Sequence, residues 1–350
     1  IKLIMLKNNM RILHVTESLG GGITSAINSY IKSTNKYQHF LCATIRKSDL
    51  TGEERIKKSI YILSRSLKSL YIFYKIYKKI NPTIVHVHST FAGVIIRLLP
   101  FIPKNKIVYT PHGFSFLRND SWLLLKLYRL IEQILSYRTS KFAACSKEEY
   151  FEASKFYKRS KLLQFYNIAD LNIKKKIFQK KTSNFYFTVG MIGRISRQKG
   201  VNFFIDTVKY FKERKDVNFI WIGGGDKTLE AKLKSQNIKV TGWLKRNEVL
   251  KKLNTLNLYF HTAEWEGFPI TVLEAARLKK FLLLRSIKSF SLENLHVVKT
   301  PLNASRFINE VLLNNRKIKN NLRENYISIN KNHSKSNLKK SLLMLYSTKK

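Results

Sequence analysis

The stretch Glu264-Trp-Glu-Gly-Phe-Pro-Ile-Thr-Val-Leu-Glu-Ala-Ala276 places two carboxylates on either side of a predicted helix start. Pro269 suits the first turn of a helix, where its missing N–H costs nothing. Glu266 is therefore expected in the preceding loop and Glu274 inside the helix. Even along one helix they would lie roughly 12 Å apart, beyond the about 5–9.5 Å of a glycosidase carboxylate pair. The spacing predicts recognition of hydroxyl groups, beside a helix N-terminus that favours phosphate.

Short apolar runs alternate with helical patterns on both sides of this stretch, which is typical of β-α-β units and parallel sheets. The sequence therefore predicts an α/β fold with two Rossmann-like, doubly wound domains that face a central cleft. The domains are expected over 10–170 and 184–332, with a lysine-rich linker between them. A C-terminal helix over 333–350 is expected to pack back on the first domain. Ligands of such sheets bind beyond the carboxyl ends of the strands.

Charge and cysteine content narrow the class of protein. The 350 residues include 65 Lys+Arg against 22 Asp+Glu, a formal charge of +43. Such charge attracts nucleic acid, anionic lipid or phosphorylated substrates, although compositional drift explains it equally well. Cys42 and Cys145 both lie in apolar runs, which suits a reducing cytoplasm better than a disulfide framework. No run reaches the about 18 apolar residues of a membrane span.

Two glycine-rich loops that follow predicted strands are suited to bind anions. Gly20-Gly21-Gly22 opens into a helix, so its backbone N–H groups are free for an anion or a hydroxyl. The spacing is not G-x-G-x-x-G, and Arg46-Lys47 stand where an NAD enzyme would place an acid, which disfavours a dehydrogenase or epimerase. The loop over 193–200 carries Arg194 and Lys199. A forked and a mobile cation are what a departing nucleoside diphosphate requires.

The motifs together, in this order, resemble the retaining glycosyltransferases of family 4, in the GT-B superfamily, of the type that builds bacterial O-antigen and capsule. Residues 264–276 resemble the family's two-glutamate signature, and 193–200 resemble its G-R-x-x-x-x-K-G element. The resemblance implies that Glu266 is catalytic at the donor sugar, that Glu274 binds the ribose, and that Arg194 and Lys199 bind the donor diphosphate. It implies further contacts at catalytic His112 in Thr110-Pro-His-Gly-Phe114, at Gly21 and Gly22 for the diphosphate, and at Gly224 and Trp243 for the base.

The implied reaction is that of a hexosyl- or N-acetylhexosaminyltransferase of EC class 2.4. It would move a sugar from a nucleotide-diphosphate donor, expected to be a UDP-sugar, onto a polyprenyl-diphosphate-linked saccharide. No cofactor or metal is expected, because no Asp-x-Asp motif occurs and Arg194 and Lys199 supply positive charge. His86 and His88 share one face of a predicted strand, but without an acidic neighbour they are not taken as metal ligands.

Aromatic and basic residues interleave over 67–80 and 122–134. This pattern predicts contact with an anionic membrane surface, against the alternative of core-packed amphipathic helices. The expected location is the cytoplasm, peripheral on the inner face of the cell membrane.

Two departures from the family pattern keep alternatives open. Residues 277–286 lack the family's usual glycine and proline, and Asn167-Ile-Ala-Asp170 lacks a glycine. A degenerate nucleotide-sugar-binding protein without activity is one alternative. A basic nucleic-acid-binding protein is another, although no nucleic-acid-binding motif supports it and nucleic acid is not an expected partner.

Overall fold

The computed structural model describes residues 10–17, 19–44, 60–63, 66, 68–169, 171 and 186–347. The chain divides into two compact units: unit 1 comprises Ile1–Ile168 and His333–Lys350, and unit 2 comprises Ala169–Asn332. Of the predicted linker, only residue 171 belongs to the described part. Arg46-Lys47 also lies outside the described residues.

Unit 1 is built on a sheet of seven parallel strands. The strands are β1 (Arg11–Thr16), β2 (Gln38–Thr44), β3 (Ile60–Leu63), β4 (Ile84–His88), β5 (Ile107–Thr110), β6 (Lys141–Ala144) and β7 (Leu162–Gln164). The helices are α1 (Gly21–Ser33), α2 (Lys68–Ile80), α3 (Thr90–Leu98), α4 (Trp122–Leu135) and α5 (Lys147–Ala153). The strand order is β3-β2-β1-β4-β5-β6-β7. Parallel strands need crossover connections, and the helices bury both faces of the sheet. Every residue of β4 and β5 is accordingly buried.

Unit 2 contains a second parallel sheet, of six strands. The strands are β8 (Phe187–Ile192), β9 (Val217–Ile222), β10 (Lys239–Val240), β11 (Leu258–His261), β12 (Phe281–Arg285) and β13 (Val297–Val298). The helices are α6 (Val201–Val208), α7 (Lys227–Lys234), α8 (Arg246–Thr255), α9 (Ile270–Arg277), α10 (Lys288–Ser291), α11 (Pro301–Leu312) and α12 (Arg316–Asn332). The strand order is β10-β9-β8-β11-β12-β13. Both units are therefore doubly wound α/β structures, as predicted.

The chain returns to unit 1 with a last helix, α13 (Lys335–Leu345). Leu338 and Leu342, four residues apart and so on one helix face, are buried with Tyr346 against Ile12 and Tyr30. Packing of an apolar face, rather than helix propensity, holds such a segment in place. Among the described helices, none is long and apolar enough to cross a bilayer.

The two faces of the unit 1 sheet carry different side chains. Val85 and Val87 belong to the apolar cluster on one face. His86 and His88 alternate with them and point to the other face, as strand geometry requires. His14 on β1 is paired in register with His86 on β4. Adjacent strands thus bring several buried histidines together.

Candidate active site

Loops of unit 2 meet at the carboxyl ends of neighbouring strands. They follow β9, β8 and β11, which are adjacent in the sheet. Ile195 N–H donates to the Gly224 carbonyl over 2.9 Å, and Asp226 N–H donates to the Ile195 carbonyl over 2.9 Å. A Cβ on Gly225 would overlap the Ile195 carbonyl oxygen. Glycine is needed because the two backbones approach so closely.

The loop after β8 is also joined to the loop after β11. Thr262 Oγ1 donates to the Lys199 carbonyl over 2.8 Å, and Glu264 N–H donates to the Gln198 carbonyl over 2.8 Å. The Lys199 ammonium forms an ion pair with the Glu266 carboxylate, and the two side chains are 18% and 14% exposed. Two predicted site residues far apart in sequence therefore lie in contact at the ends of adjacent strands, where solvent and solutes still reach them.

Arg194 and Trp243 lie at the surface of these strand-end loops. Arg194 is exposed, and its guanidinium has no polar partner among the residues that the structure describes. A guanidinium in this position is available to an anion. Trp243 is 60% exposed and lies against Gly224, where an added Cβ would come within 2.9 Å of the indole nitrogen. The structure thus brings Gly224 and Trp243 together.

Glu274 has a different cationic partner from Glu266. It lies fully buried on α9, and Pro269 stands one residue before this helix instead of in its first turn. Arg246, the first residue of α8, contacts both carboxylate oxygens, with 3.1 Å between Nη1 and Oε2. A forked guanidinium pair compensates the charge of a buried carboxylate. The two glutamates are therefore held separately.

The segment 277–286, which departs from the family pattern, completes α9 and forms β12. Its apolar run supplies the buried residues Leu282, Leu283 and Leu284. Arg285 Nη1 donates to the Thr262 carbonyl over 3.2 Å. The segment 277–286 therefore forms a strand although it departs from the family pattern, and Arg285 places a cation at the carboxyl end of that strand.

In unit 1, Gly21 and Gly22 begin α1, and both are exposed. Gly20 at the N-cap supplies no side-chain hydrogen bond to the helix start. The first N–H groups of a helix lack partners within it. Gly21 has a φ of +50°, with no atom within 4 Å of a Cβ built there, so backbone conformation rather than space favours glycine. An exposed helix start of this kind suits a phosphate or a hydroxyl.

His112 follows β5 with a φ of +56°, which non-glycine residues rarely adopt. Its Nε2 lies 3.0 Å from Nδ1 of His88, and its Nδ1 lies 3.5 Å from Sγ of Cys145. Burial lowers the pKa of His112 to about 4. The ring is therefore uncharged at neutral pH and acts as a hydrogen-bonding group, not as a cation.

Three buried histidines on the same sheet face, His14, His86 and His88, hold possible ligand atoms within 4.8 Å of one another. A metal site needs lone pairs that converge on one point. Both ring nitrogens of each residue instead face hydrogen-bonding neighbours at 2.9–3.0 Å. The geometry fits a hydrogen-bonded network.

Two doubly wound parallel α/β units, with glycine-rich and basic loops at the carboxyl ends of their strands, are the architecture expected of a glycosyltransferase of the GT-B class. Two family profiles agree with this: "Glycosyltransferase Family 4" matches residues 45–172, and "Glycosyl transferases group 1" matches residues 172–326. The chain belongs to the family 4 type of GT-B glycosyltransferases that act in polysaccharide biosynthesis. The resemblance to the glycosyltransferases of family 4 is confirmed.

Similar proteins come from several bacteria. The Escherichia coli UDP-Gal:alpha-D-GlcNAc-diphosphoundecaprenol alpha-1,3-galactosyltransferase is 30% identical over 61% of this chain and 60% of its own. The Staphylococcus aureus capsular polysaccharide biosynthesis glycosyltransferase CapH is 23% identical over 81% and 83%. The crystal structure of Anabaena Alr3699/HepE in complex with UDP is 15% identical, with a TM-score of 0.74 over 96% of this chain and 99% of that chain. This last likeness supports the fold.

Three residues of the candidate site were not predicted from sequence. Arg246 lies 28 positions from Glu274 and carries no motif, and Arg285 lies in a segment that departs from the family pattern. The third, Glu149, is buried in unit 1 and accepts a hydrogen bond from Cys145 N–H over 2.6 Å. The sequence Ser146-Lys-Glu-Glu149 is a helix-capping pattern that could have drawn attention to Glu149. No feature of the sequence indicates that Glu149 is buried.

Proposed function

We propose that this chain moves a sugar from a UDP-sugar onto a polyprenyl-diphosphate-linked saccharide, with retention of configuration. The observation that carries the proposal is the Lys199–Glu266 ion pair at the meeting point of strand-end loops. The printed name of the Escherichia coli relative includes UDP-Gal and a GlcNAc-diphosphoundecaprenol, and the Anabaena structure is a complex with UDP. These names favour uridine and a polyprenyl carrier among the possible donors and acceptors.

In the ion pair, the charges of Lys199 and Glu266 balance each other. When a nucleotide-sugar binds, Lys199 turns to the diphosphate together with exposed Arg194, and Glu266 becomes free to accept a hydrogen bond from a sugar hydroxyl. The two cations stabilise the negative charge that grows on the diphosphate as the glycosidic bond breaks. The acceptor hydroxyl attacks the face that the diphosphate leaves, and a phosphate oxygen takes the hydroxyl proton, which gives retention without a protein nucleophile.

Glu274 is proposed to bind the ribose. Its carboxylate is covered by Arg246, whose side chain remains 20% exposed, so the guanidinium must swing aside as the nucleoside enters. In unit 1, Gly21 and Gly22 are proposed to contact the diphosphate, and His112 is proposed to contact the donor sugar. Gly224 and Trp243 are proposed to contact the base. Lys199 and Arg194 carry the charge that a metal supplies elsewhere, so we expect transfer to continue in EDTA.

The test is nucleotide release from UDP-, GDP- and dTDP-sugars in the presence of a polyprenyl-diphosphate-linked saccharide. Lys199→Met should lower kcat by about 10²–10³-fold, as loss of one preorganised charge does. Glu274→Gln should raise the donor KM by about 10-fold or more, since a charge-assisted hydrogen bond is lost. Asp216→Ala is the matched control, because this exposed carboxylate precedes β9 at the opposite ends of the strands.

The outcomes separate the competing functions. Release of UDP with an unchanged anomeric configuration in the product supports the proposal, and an inverted product contradicts the retaining mechanism. Donor binding without turnover indicates the degenerate, binding-only protein. Binding to nucleic acid that falls steeply with salt, with no donor bound, indicates the nucleic-acid-binding alternative.

A membrane surface is the proposed site of action. On α4, Leu123, Leu127, Leu130 and Ile134 form one stripe at helical spacing, and each is at least 50% exposed. Basic groups accompany exposed rings on α4, just after it and on α2: Lys126 lies 4.4 Å from the centre of the Trp122 ring, Lys104 lies 4.1 Å from that of Tyr137, and Lys75 lies 4.5 Å from that of Tyr71. Apolar side chains bordered by aromatic and basic ones match an anionic bilayer.

This part is tested by sedimentation with vesicles of phosphatidylglycerol and phosphatidylethanolamine. The double variant Leu127→Gln and Leu130→Gln should lose binding, because it removes apolar area from the stripe. Leu313→Gln is the control, since Leu313 is 77% exposed but lies in unit 2. Equal binding by all three proteins, or equal binding to purely zwitterionic vesicles, would contradict the proposed surface.

A further inference from the structure

A line of hydrogen-bonded imidazoles crosses one face of the unit 1 sheet. His39, His14, His88 and His112 come from β2, β1, β4 and the end of β5, which are consecutive in the sheet. Nδ1 of His39 lies 3.0 Å from Nε2 of His14, Nδ1 of His14 lies 3.0 Å from Nε2 of His88, and Nδ1 of His88 lies 3.0 Å from Nε2 of His112. All three contacts have the same polarity.

One end of this line fixes the position of a proton. Nε2 of His39 lies 3.0 Å from the Thr34 carbonyl oxygen and 3.2 Å from the Thr34 hydroxyl oxygen. That hydroxyl donates its own proton to the Tyr30 carbonyl over 2.7 Å. Both oxygens are therefore acceptors towards His39, so its Nε2 must carry the hydrogen.

The proton position then passes along the line. Burial lowers the pKa of His39 and His112 and, with neighbouring histidines, that of His14 and His88, so the rings are neutral at pH 7. A neutral imidazole has one N–H and one lone pair. With Nε2 of His39 protonated, its Nδ1 must accept from Nε2–H of His14, and the same holds at the next two contacts. Each ring is therefore the Nε2–H tautomer.

The groups around His112, at the other end of the line, are consistent with the same proton positions. Tyr30 hydroxyl donates to Asn167 Oδ1, and Asn167 Nδ2 donates to Cys145 Sγ over 3.3 Å. Burial raises the pKa of Cys145, which keeps it a thiol. Its S–H is then left for Nδ1 of His112 at 3.5 Å. No contact along the line places two donors or two acceptors together.

We propose that His39, His14 and His88 are positioning residues that fix His112 as its Nε2–H tautomer, with the Nδ1 lone pair held as an acceptor. A thiol is a weak donor, so a sugar hydroxyl that reaches Nδ1 can replace it. Resting on the function proposed above, this makes His112 a reader of a hydroxyl on the transferred sugar and not of the diphosphate.

The first test is spectroscopic and needs no substrate. Long-range ¹H–¹⁵N correlation of histidine-labelled protein at pH 7 distinguishes protonated from lone-pair ring nitrogens, with assignment from single His→Gln variants. We expect His112, His88 and His14 each to show protonated Nε2 and unprotonated Nδ1. An Nδ1–H or doubly protonated His112 would overturn the proposal. So would stoichiometric Zn²⁺ binding that shifts the ring nitrogens of His14, His86 and His88.

The second test changes the far end of the line. His39→Leu removes the acceptor for His14, so His112 should populate both tautomers. In His39→Gln, the amide can both donate to Thr34 and accept from His14, and the single tautomer should return. A single His112 tautomer in a folded His39→Leu protein would contradict the proposal that His39 fixes the tautomer. If that variant does not fold, the wild-type and His39→Gln spectra still decide.

Donor binding separates this inference from the proposed function. His39→Leu should weaken UDP-sugar binding about 2- to 10-fold, the range of one lost hydrogen bond, and leave UDP binding unchanged. Equal loss for UDP and the UDP-sugar would contradict hydroxyl recognition. If the wild type binds no nucleotide-sugar, the proposed function fails while the tautomer result stands.

Discussion

Gly200 joins the Lys199 loop to α6 in a conformation that favours glycine. Its φ is +69°, and a Cβ there would overlap the Thr262 carbonyl oxygen. Gly242 has the same φ of +69°, but no atom lies within 4 Å of its added Cβ. The two glycines therefore differ in packing and not in backbone conformation.

We predict that Gly200→Ala destabilises unit 2 far more than Gly242→Ala. The left-handed conformation alone costs about 1–2 kcal/mol for alanine, which is the expected effect at Gly242. At Gly200 the clash should raise the loss of unfolding free energy above about 3 kcal/mol. Urea unfolding followed by tryptophan fluorescence measures both. Equal losses would show that the Lys199 loop relaxes away from Thr262.

Glu149 predicts a dependence of stability on pH. Burial raises its pKa from 4.5 to about 7, so the folded state keeps a proton that the unfolded state releases. The contribution of this carboxyl to stability is therefore lost as pH rises from about 4.5 to about 7, amounting to about 3 kcal/mol. The buried histidines of unit 1, whose pKa is lowered from 6.5, contribute a slope of the opposite sign. Relative to wild type, Glu149→Gln should therefore gain stability as pH rises and unfold at higher urea at pH 8, as measured by hydrogen exchange in β6. Glu213→Gln, at an exposed carboxyl, should show the same pH dependence as wild type.

Among the elements, strands in the middle of a sheet are easier to predict from the sequence than strands at its edge. The short, β-branched run Ile84–His88 predicts a strand at the observed bounds of β4, and the runs Arg11–Val15 and Ile107–Tyr109 predict β1 and β5 one residue short of their observed ends. The sequence pattern over 63–80 predicts a helix, but Ile60–Leu63 forms edge strand β3 and α2 begins at Lys68, so the predicted start of this helix is wrong. A four-residue strand is defined by pairing with β2, and pairing between distant segments leaves no local signal.

The histidine line shows the same limit. Period-two alternation placed His86 and His88 on one sheet face. The contacts of His14 with His39 and His88 depend on strand order and register, because these residues lie 25 and 74 positions from His14 in the sequence. Motifs likewise identified Lys199 and Glu266, but the ion pair between them depends on β8 and β11 being adjacent.

The helix α4 depends on a buried ion pair for its attachment. Arg97 on α3 donates to Glu132 over 2.8 Å, and both side chains are at most 1% exposed. Tyr109 hydroxyl also donates to Glu132 over 2.8 Å, and the Arg97 guanidinium lies 4.1 Å from the Tyr109 ring. The pair holds the inner face of α4, so its apolar stripe remains on the outside.

We predict that Arg97→Met destabilises unit 1 by about 3–5 kcal/mol, because it leaves the Glu132 charge buried without a partner. The double variant Arg97→Met, Glu132→Leu should recover most of the loss, since apolar pairs often replace buried ion pairs without cost. Urea-dependent hydrogen exchange of α4 is the measurement. Arg214→Met, at an exposed pair, should leave the transition unchanged. Failure of the double variant to recover would indicate a packing role for Glu132.

For the whole molecule, residues 333–350 belong to unit 1 although they follow unit 2 in sequence. Leu338, Leu342 and Leu345 are buried in the cluster that contains β1 and α1 residues. The Tyr346 hydroxyl lies 2.9 Å from Nδ1 of His86. Lys141 Nζ donates to the Ser347 carbonyl over 2.7 Å. Helix α13 and Tyr346 are thus part of the core of unit 1.

Removal of residues 333–350 should therefore destabilise unit 1 and leave the stability of unit 2 unchanged. Each buried leucine contributes about 1.5–3 kcal/mol, so loss of three removes about 4.5–9 kcal/mol, which is comparable with the about 5–15 kcal/mol stability of an ordinary domain. Hydrogen exchange should accelerate in β1 and β4 and remain unchanged in β8, β9 and β11. A triple Leu338→Gln, Leu342→Gln, Leu345→Gln variant should reproduce the effect at full length, while Met344→Gln, on the exposed side of α13, should not. Equal acceleration in both sheets would show that unit 2 also depends on this helix for its stability.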